Sequence, residues 1–389
     1  MSAGGTGHDG ADVVVVGAGL AGLHTATLLA RGGHDVLLAD RRPRLTGAVR
    51  TTGIFVRRTL DDFDLPPEHL GPPIRRVALY PPGLRRPVVL DSDRDEYRVG
   101  DMGPLYEAGA RAAVAAGVRL ALGTRYEGRA DDGAVVLTGP GGPLRVRTRF
   151  LVGADGARSR VARDLGLDRN SELLTGAEEV YAVPDTGRTP TFHCVLDPTL
   201  APGYLAWVVD DGRHAHVGVA GYAHRFPSGL RAALDRFAAT APGLPGPRPE
   251  AVERRGGPIP VGGLLHRIGC PEGLLVGDAA GAVSPLTAGG LDPCLRLSAH
   301  AAEVLDDALR TGRRDALAAY DGATLRASFR GRLLLRRGLA AVRTPAVAGA
   351  GVALLRTPPG RAAARRVLFG DRSFPDPAPV RRTAAAVPA

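Results

Sequence analysis

The chain has no lysine: all 50 of its basic Lys/Arg positions are arginine. This excludes a Schiff-base amine, a nucleophilic amine and a catalytic ammonium. Cysteine is scarce. Cys194, Cys270 and Cys294 form no close-spaced pair, which excludes a disulfide framework and a cysteine zinc site and fits a reducing cytoplasm. Aromatic residues make up 5% of the chain, so each one near a pocket carries more weight. No run of about 18 apolar residues is present to span a bilayer. The opening "MSAGGTGHDGA" lacks the apolar core of a signal peptide. No nucleic-acid-binding motif is present. The net charge is +10, which reads as a solvated arginine-rich surface or as steering of an anionic partner: a cofactor phosphate, an acidic substrate or an acidic carrier protein.

What is present is ordinary globular material, 44% hydrophobic and 23% charged over 389 residues. Three stretches carry chemistry. The first runs from Asp12 to Asp40. Val13 to Val16 is a continuous apolar run, as in a strand buried on both faces. Gly17, Gly19 and Gly22 then give G-x-G-x-x-G, with Leu20 and Ala21 opening a helix to Ala30. The first glycine permits a tight turn, the second a close approach of a pyrophosphate, the third close helix–strand packing. A second strand, Val36 to Ala39, closes on Asp40, an acid placed to accept hydrogen bonds from an adenosine ribose. Arg41, Arg42 and Arg50 follow nearby, as candidates for phosphate or adenine.

The second stretch, Arg149 to Leu167, ends a short strand in Gly153-Ala154-Asp155-Gly156, with a helix expected from about Ser159. The third, "VGDAAGAVSPLTAGGLDP", ends another strand (273–276) in Gly277-Asp278 and runs through Pro285, Ala288, Gly289 and Gly290 into a helix from Leu291. Asp292 is expected as its N-cap and Pro293 at its first position. The partial positive charge of that helix end suits an anion. Three widely spaced turns suit one long ligand. A nicotinamide dehydrogenase does not need the third turn; a full-length buried FAD does.

These motifs resemble the FAD-dependent family that includes p-hydroxybenzoate hydroxylase, and within it the geranylgeranyl reductase branch, over most of residues 11–310. The resemblance implies an α/β fold. A Rossmann-type FAD-binding domain (three-layer ββα; 1–75, 97–169 and 263–311) is interleaved with an antiparallel-sheet substrate domain (76–96 and 170–262). C-terminal helices (312–370) and a tail (371–389) follow. It implies that Gly17, Gly19, Gly22 and Asp40 hold the FAD pyrophosphate and adenosine, and that Asp155 and Gly156 form the Asp-Gly motif. Gly277 and Asp278 hold the ribityl chain, and Ser284 to Gly290 lie beside the flavin ring. Arg98 takes the position of an arginine that in relatives contacts the cofactor. Two departures stand out. Ala162 replaces an arginine of the family's "S-x-V-R", and Val208-Val209-Asp210 replaces the Phe-Pro of its "Y-x-W-x-F-P", while Tyr204, Trp207 and Gly218 remain.

The middle region reads as strands, with a hairpin turn at Asp210-Asp211-Gly212. Tyr204 and Trp207 are pocket candidates, on opposite faces if the alternation is regular. His193, His214 and His216 are candidate proton donors, each expected as a partly exposed strand histidine; His214 and His216 share a face without a third metal ligand. The apolar run Ala346 to Leu355, with arginines on either side, is expected to pack against the body rather than lie on a membrane.

There is no second G-x-G-x-x-G between a strand and a helix, so electrons would come from transient NADPH or NADH, another protein or the substrate. Halogenases of this fold use a lysine and a "W-x-W-x-I-P" motif, and this chain has neither. Three activities remain open: a reductase or dehydrogenase acting on C=C bonds of an apolar isoprenoid or polyketide-like molecule in secondary metabolism, a monooxygenase, and a non-redox FAD-containing cyclase or binding protein.

Overall fold

In the computed structural model, residues 10–47, 49–183, 187, 189–244, 250–327 and 329–370 are described. The tail expected over 371–389 lies outside them, as do residues 1–9.

The apolar run after Asp12 forms the central strand Gly10–Val16 of an 8-stranded sheet. It pairs in parallel with Val36–Asp40 on one side and with Gly142–Gly153 on the other. Gly273–Leu275 adds in parallel beyond Gly142–Gly153. Val13, Val14 and Val15 are fully buried, each contributing about 1.5–3 kcal/mol of transfer free energy. The helix Leu20–Arg31 packs between the helices Met102–Ala115 and Leu291–Thr311 on one face. An antiparallel meander, Arg125–Arg129, Val135–Gly139 and the first half of Gly142–Gly153, covers the other, burying Tyr126, Leu137 and Val146 in the same core. The result is the expected three layers.

A second, 7-stranded sheet is built from Arg76–Tyr80, Val88–Asp91 and the strands between Leu173 and Pro260. It is antiparallel except where Thr191–Val195 runs parallel to Arg76–Tyr80. The helix Gly229–Ala238 covers one face, its Ala233, Leu234 and Phe237 packed on Tyr181, Val208 and Val217. The other face meets the first domain and the C-terminal helices, whose Val352, Ala364 and Phe369 pack on Ile74, Val77 and Cys194. The predicted hairpin is present: Ala206–Asp210 turns through Gly212, at φ +88°, into His214–Gly221.

Candidate functional site

The three glycine turns meet. A Cβ on Gly17 would lie 2.3 Å from the Ala154 carbonyl oxygen and 3.2 Å from the Asp155 Cα, so the first and second turns touch. A Cβ on Gly277 would lie 2.8 Å from the Ala21 Cβ, which joins the third turn to the helix of the first. A Cβ on Gly290 would lie 3.7 Å from the Asp278 Oδ1. Parallel pairing aligns the ends of all the strands that carry these turns, so one groove runs across the sheet's C-terminal edge.

Each part of the groove has the chemistry of a different part of FAD. Gly22 is required by packing, since its Cβ would lie 1.8 Å from the Gly17 carbonyl oxygen. Gly19 is different: its Cβ would meet nothing within 4 Å. Gly19 is also the N-cap of the Leu20–Arg31 helix, with no side-chain cap and no acid in the first turn. Open space before unpartnered N–H groups fits a pyrophosphate. Asp278, on the 3-10 turn Gly277–Ala280, has a carboxylate without a side-chain or main-chain donor among the described residues, and burial pushes it up to about 6. An unpaired carboxylate in the groove fits the hydroxyls of a ribityl chain.

The adenosine end differs from expectation. Burial pushes the Asp40 carboxyl up, but Arg42 outweighs it and holds the group below its ordinary range. Asp40 Oδ1 accepts the Arg42 main-chain N–H at 2.8 Å and Nε at 2.9 Å; Oδ2 accepts Ala18 N–H at 2.7 Å and Arg42 Nη2 at 2.8 Å. Arg42, not the exposed Arg41, is the basic partner at this end. Arg50 is also exposed, its Cδ 4.0 Å from a Cβ placed on Gly257.

Other expected contacts are reassigned. Asp155 accepts from Ser159 Oγ at 2.6 Å and from the Arg160 N–H at 2.7 Å, so its carboxylate anchors the start of the Arg160–Asp164 helix; only its main chain and Gly156, at φ +87°, remain for the groove. Arg98 donates from Nη2 to the Leu70 carbonyl at 3.1 Å and from Nε to that of Gly71 at 2.7 Å, contacts that leave its expected cofactor role as it stood. Ala162 is fully buried where an arginine would not fit, and Arg163 turns outward to Asp164. Asp292 is not the N-cap. The helix Leu291–Thr311 starts two residues earlier than that cap requires, capped at Gly290, and Asp292 Oδ1 takes Thr59 Oγ1 at 2.9 Å and Arg296 Nε at 3.0 Å. Its first N–H groups are therefore uncapped by any side chain and lie beside Asp278. The loop before it closes on itself: Ala288 N–H donates to the Ser284 carbonyl at 2.9 Å, Ser284 N–H to that of Gly289 at 3.0 Å, and Ala288 takes φ +51°. Pro285 packs against Gly263, and Leu291 against the main core.

Above the groove stands the face of the second sheet that meets the first domain and the C-terminal helices. Cross-strand pairing sets one row of residues along it: Leu79, Cys194, Trp207, Gly218, Glu178 and Arg255. A Cβ on Gly218 would lie 2.0 Å from the Trp207 ring, so the indole lies flat over this glycine and its Nε1 donates to Glu178 Oε2 at 3.0 Å. Thr52 Oγ1 donates to the same oxygen. Arg255 Nη1 reaches Glu178 Oε1 at 3.5 Å and the Thr51 carbonyl at 3.1 Å, tying the sheet to the Arg50–Gly53 segment. Burial alone would raise Glu178, but His216, Thr52 and Arg255 lower it below its ordinary range. Tyr106 is pushed up to about 12, chiefly by burial.

Tyr204 and Trp207 share this face. Tyr204 precedes the strand, so alternation does not reach it; its hydroxyl donates to the Thr287 carbonyl and its ring joins Leu174, Ala220 and Val261, with Trp207 beside them. The substituted Val208-Val209-Asp210 lets the strand run straight into its hairpin. Val208 faces the Gly229–Ala238 helix, Val209 the site side, and Asp210 accepts the Gly212 N–H.

The histidines separate. His193 lies on the far face against Tyr80 Oη at 3.0 Å, away from the groove. His214 is 38% exposed, 3.5 Å from Asp211. His216 is buried rather than part-exposed, with Nε2 at 3.0 Å from Asp211 Oδ2 and Nδ1 at 3.4 Å from Glu178 Oε1. Burial alone would lower it, but the two carboxylates raise it to about 9. Glu178, Arg255 and Asp211 were not singled out from sequence. The one local signal was Gly218, since a glycine inside a strand marks a close approach. Among the described residues there is no cluster that would hold a metal.

Residues 15–73 match an NAD(P)-binding Rossmann-like domain and residues 109–203 a FAD binding domain. Digeranylgeranylglycerophospholipid reductase 1 of Methanopyrus kandleri is 33% identical over 316 residues, covering 77% of this chain and 81% of that protein. The chain belongs to the geranylgeranyl reductase family. It is an FAD-dependent oxidoreductase. Within this family, the digeranylgeranylglycerophospholipid reductase of Methanoculleus marisnigri is 29% identical over 345 residues, covering 84% of each chain. The fold is also that of a geranylgeranyl bacteriochlorophyll reductase-like protein of Thermoplasma acidophilum, with TM-score 0.81 at 20% identity over 93% of this chain and all of that one. It extends to p-nitrophenol 4-monooxygenase of Pseudomonas putida, with TM-score 0.68 at 20% identity over 94% and 98%.

Proposed function

We propose that this geranylgeranyl reductase family member saturates C=C bonds in an isoprenoid chain carried by an anionic lipid, with NADPH or NADH as the transient reductant. The observation that carries the reading is the 33% identity to a digeranylgeranylglycerophospholipid reductase across 77% of the chain. The apolar half of the sheet face is consistent with it. Leu79, Cys194 and Trp207 form one wall, with Val77, Val209 and Phe192 around them and the C-terminal Val352, Ala364 and Phe369 packed on the same cluster. A wall without a free hydrogen-bonding group suits a hydrocarbon.

Bound FAD supplies hydride chemistry at this wall. The chain's own residues bind, orient and exclude water. Gly19 and the helix behind it would hold the pyrophosphate, Asp278 the ribityl hydroxyls, and the Ser284–Gly290 loop with the uncapped helix end the ring. Glu178 is a positioning residue: its charge holds Trp207 Nε1, Thr52 Oγ1, His216 and Arg255 at once, which fixes the indole as the flat side of the slot.

The test is product analysis by mass spectrometry. Holoenzyme is incubated without oxygen with a nicotinamide reductant and a geranylgeranyl-bearing glycerophospholipid. The reading expects two hydrogens gained per double bond. Product that gains oxygen, and forms only in air, would replace it with monooxygenation.

A further inference from the structure

We propose that the C-terminal helices Arg330–Ala341 and Pro345–Leu354 form a docking face for an anionic lipid surface. The proposal goes beyond the reductase reading and does not depend on it.

The helix Pro345–Leu354 has the sequence PAVAGAGVAL, without one polar side chain, yet only Ala348 and Val352 are buried. A helix that is apolar all round is normally enclosed. This one rests on the body along a single stripe, Val352 against the cluster of Ile74, Val77 and Cys194, and turns its other faces outward. Packing against the body, expected for this segment, is thus met on one side only. Four of the seven large apolar side chains that stand exposed among the described residues lie here: Leu334 at 69%, Leu335 at 52%, Val347 at 55% and Leu354 at 66%.

Charge names the occupant. Residues 322–370 hold ten arginines and no Asp or Glu, a net +10, which equals that of the whole 389-residue chain. The remaining residues sum to zero. Exposed Arg330, Arg337, Arg343 and Arg356 bracket the two helices. Apolar side chains ringed by arginine on short helices match a surface with anionic headgroups over hydrocarbon. At 10 residues the apolar helix is about 15 Å long, too short to cross a bilayer and suited to lying in its interface. No helix among the described residues is long and apolar enough to span a membrane.

The inner face of Arg330–Ala341 meets the site. Arg332 Nη1 donates to Ser284 Oγ at 3.0 Å, in the loop beside the cofactor groove, and Arg336 Nη1 to the Gly203 carbonyl at 2.7 Å, next to Tyr204. One helix therefore joins the lipid-facing surface to the wall of the site.

The test is co-sedimentation of FAD-loaded full-length chain with vesicles containing no isoprenoid lipid, so that it is independent of turnover. Vesicles of equal parts phosphatidylglycerol and phosphatidylcholine are compared with phosphatidylcholine alone. The chain is expected to bind the anionic vesicles preferentially and to release as salt rises. The double variants L334S/L335S and V347S/L354S are expected to lower partition by about tenfold or more while keeping the parent melting temperature. Equal binding to both vesicle types, or serine variants that bind as the parent does, would overturn the proposal. So would a dimer that the serine variants dissociate without any vesicle binding. Binding to a duplex DNA fragment in place of vesicles would equally reassign the face.

Discussion

Trp207 Nε1 lies 3.0 Å from Glu178 Oε2, across a glycine whose absent side chain makes the contact possible. The only tryptophan of the chain is held by a buried carboxylate that also serves a histidine, a threonine and an arginine. The slot wall and the charge network beneath it are one unit.

Removing Glu178 should therefore do two things. Glu178→Ala leaves His216 and Arg255 buried without their shared counter-charge, which costs about 3 kcal/mol of stability. It also frees the indole. Urea unfolding and the emission maximum of Trp207 in the apo chain check this together, with a lower midpoint and a red shift expected. A blue emission unchanged in Glu178→Ala would separate the tryptophan from the network.

The same network sets a pH dependence. His216 has a folded value of about 9 against an ordinary 6.5, so its contribution to stability is full below pH 6.5 and is lost as pH rises through 9. Asp211 has a folded value of about 2 against 3.8, so its contribution is full above pH 3.8 and is lost as pH falls through 2. The urea midpoint of the parent should fall between pH 6.5 and 9, and His216→Gln should flatten that limb. Parallel limbs would show that His216 is not the group responsible.

Two neighbouring glycines should fail in different ways. Gly22→Ala places a Cβ 1.8 Å from the Gly17 carbonyl oxygen and should destabilise the apo chain by about 3 kcal/mol. Gly19→Ala meets nothing within 4 Å and should leave the apo melting temperature unchanged. The Gly19 variant should nonetheless lower FAD affinity at least about tenfold, because the new methyl occupies the pyrophosphate space. Calorimetry of apo chain and fluorescence titration with FAD read both effects.

Asp278 trades stability for binding. Burial raises its value to about 6 against an ordinary 3.8, so its ionisation costs the apo chain stability that sets in above pH 3.8 and is complete above 6. Asp278→Asn should raise the apo melting temperature at pH 8, give no gain below about pH 3.8, and retain less FAD on purification. A variant that purifies fully yellow would remove Asp278 from the ribityl site.

Much of this was legible in the sequence for a physical reason. Glycine turns, the strands before them and the helix starts after them are local, so Gly17, Gly19, Gly22, Gly277 and Gly290 carry their meaning in neighbouring residues. Side-chain partners across strands are not local. Nothing near Glu178 signals that it will face Trp207 on one side and Arg255 on the other, and nothing near Asp40 says that Arg42 rather than Arg41 will fold onto it. Asp292 misled for the same reason. Its type suits a cap, but Thr59 and Arg296 are brought beside it only by the fold. His216 looked like a surface strand histidine until the hairpin placed Asp211 against it.

The most direct measurement is a single turnover. Photoreduced holoenzyme is mixed without oxygen with a geranylgeranyl lipid, and the absorbance of oxidised flavin is followed. The account predicts its return at a rate that rises with lipid concentration and stays absent with the saturated analogue. Flavin that remains reduced until oxygen is admitted would contradict it.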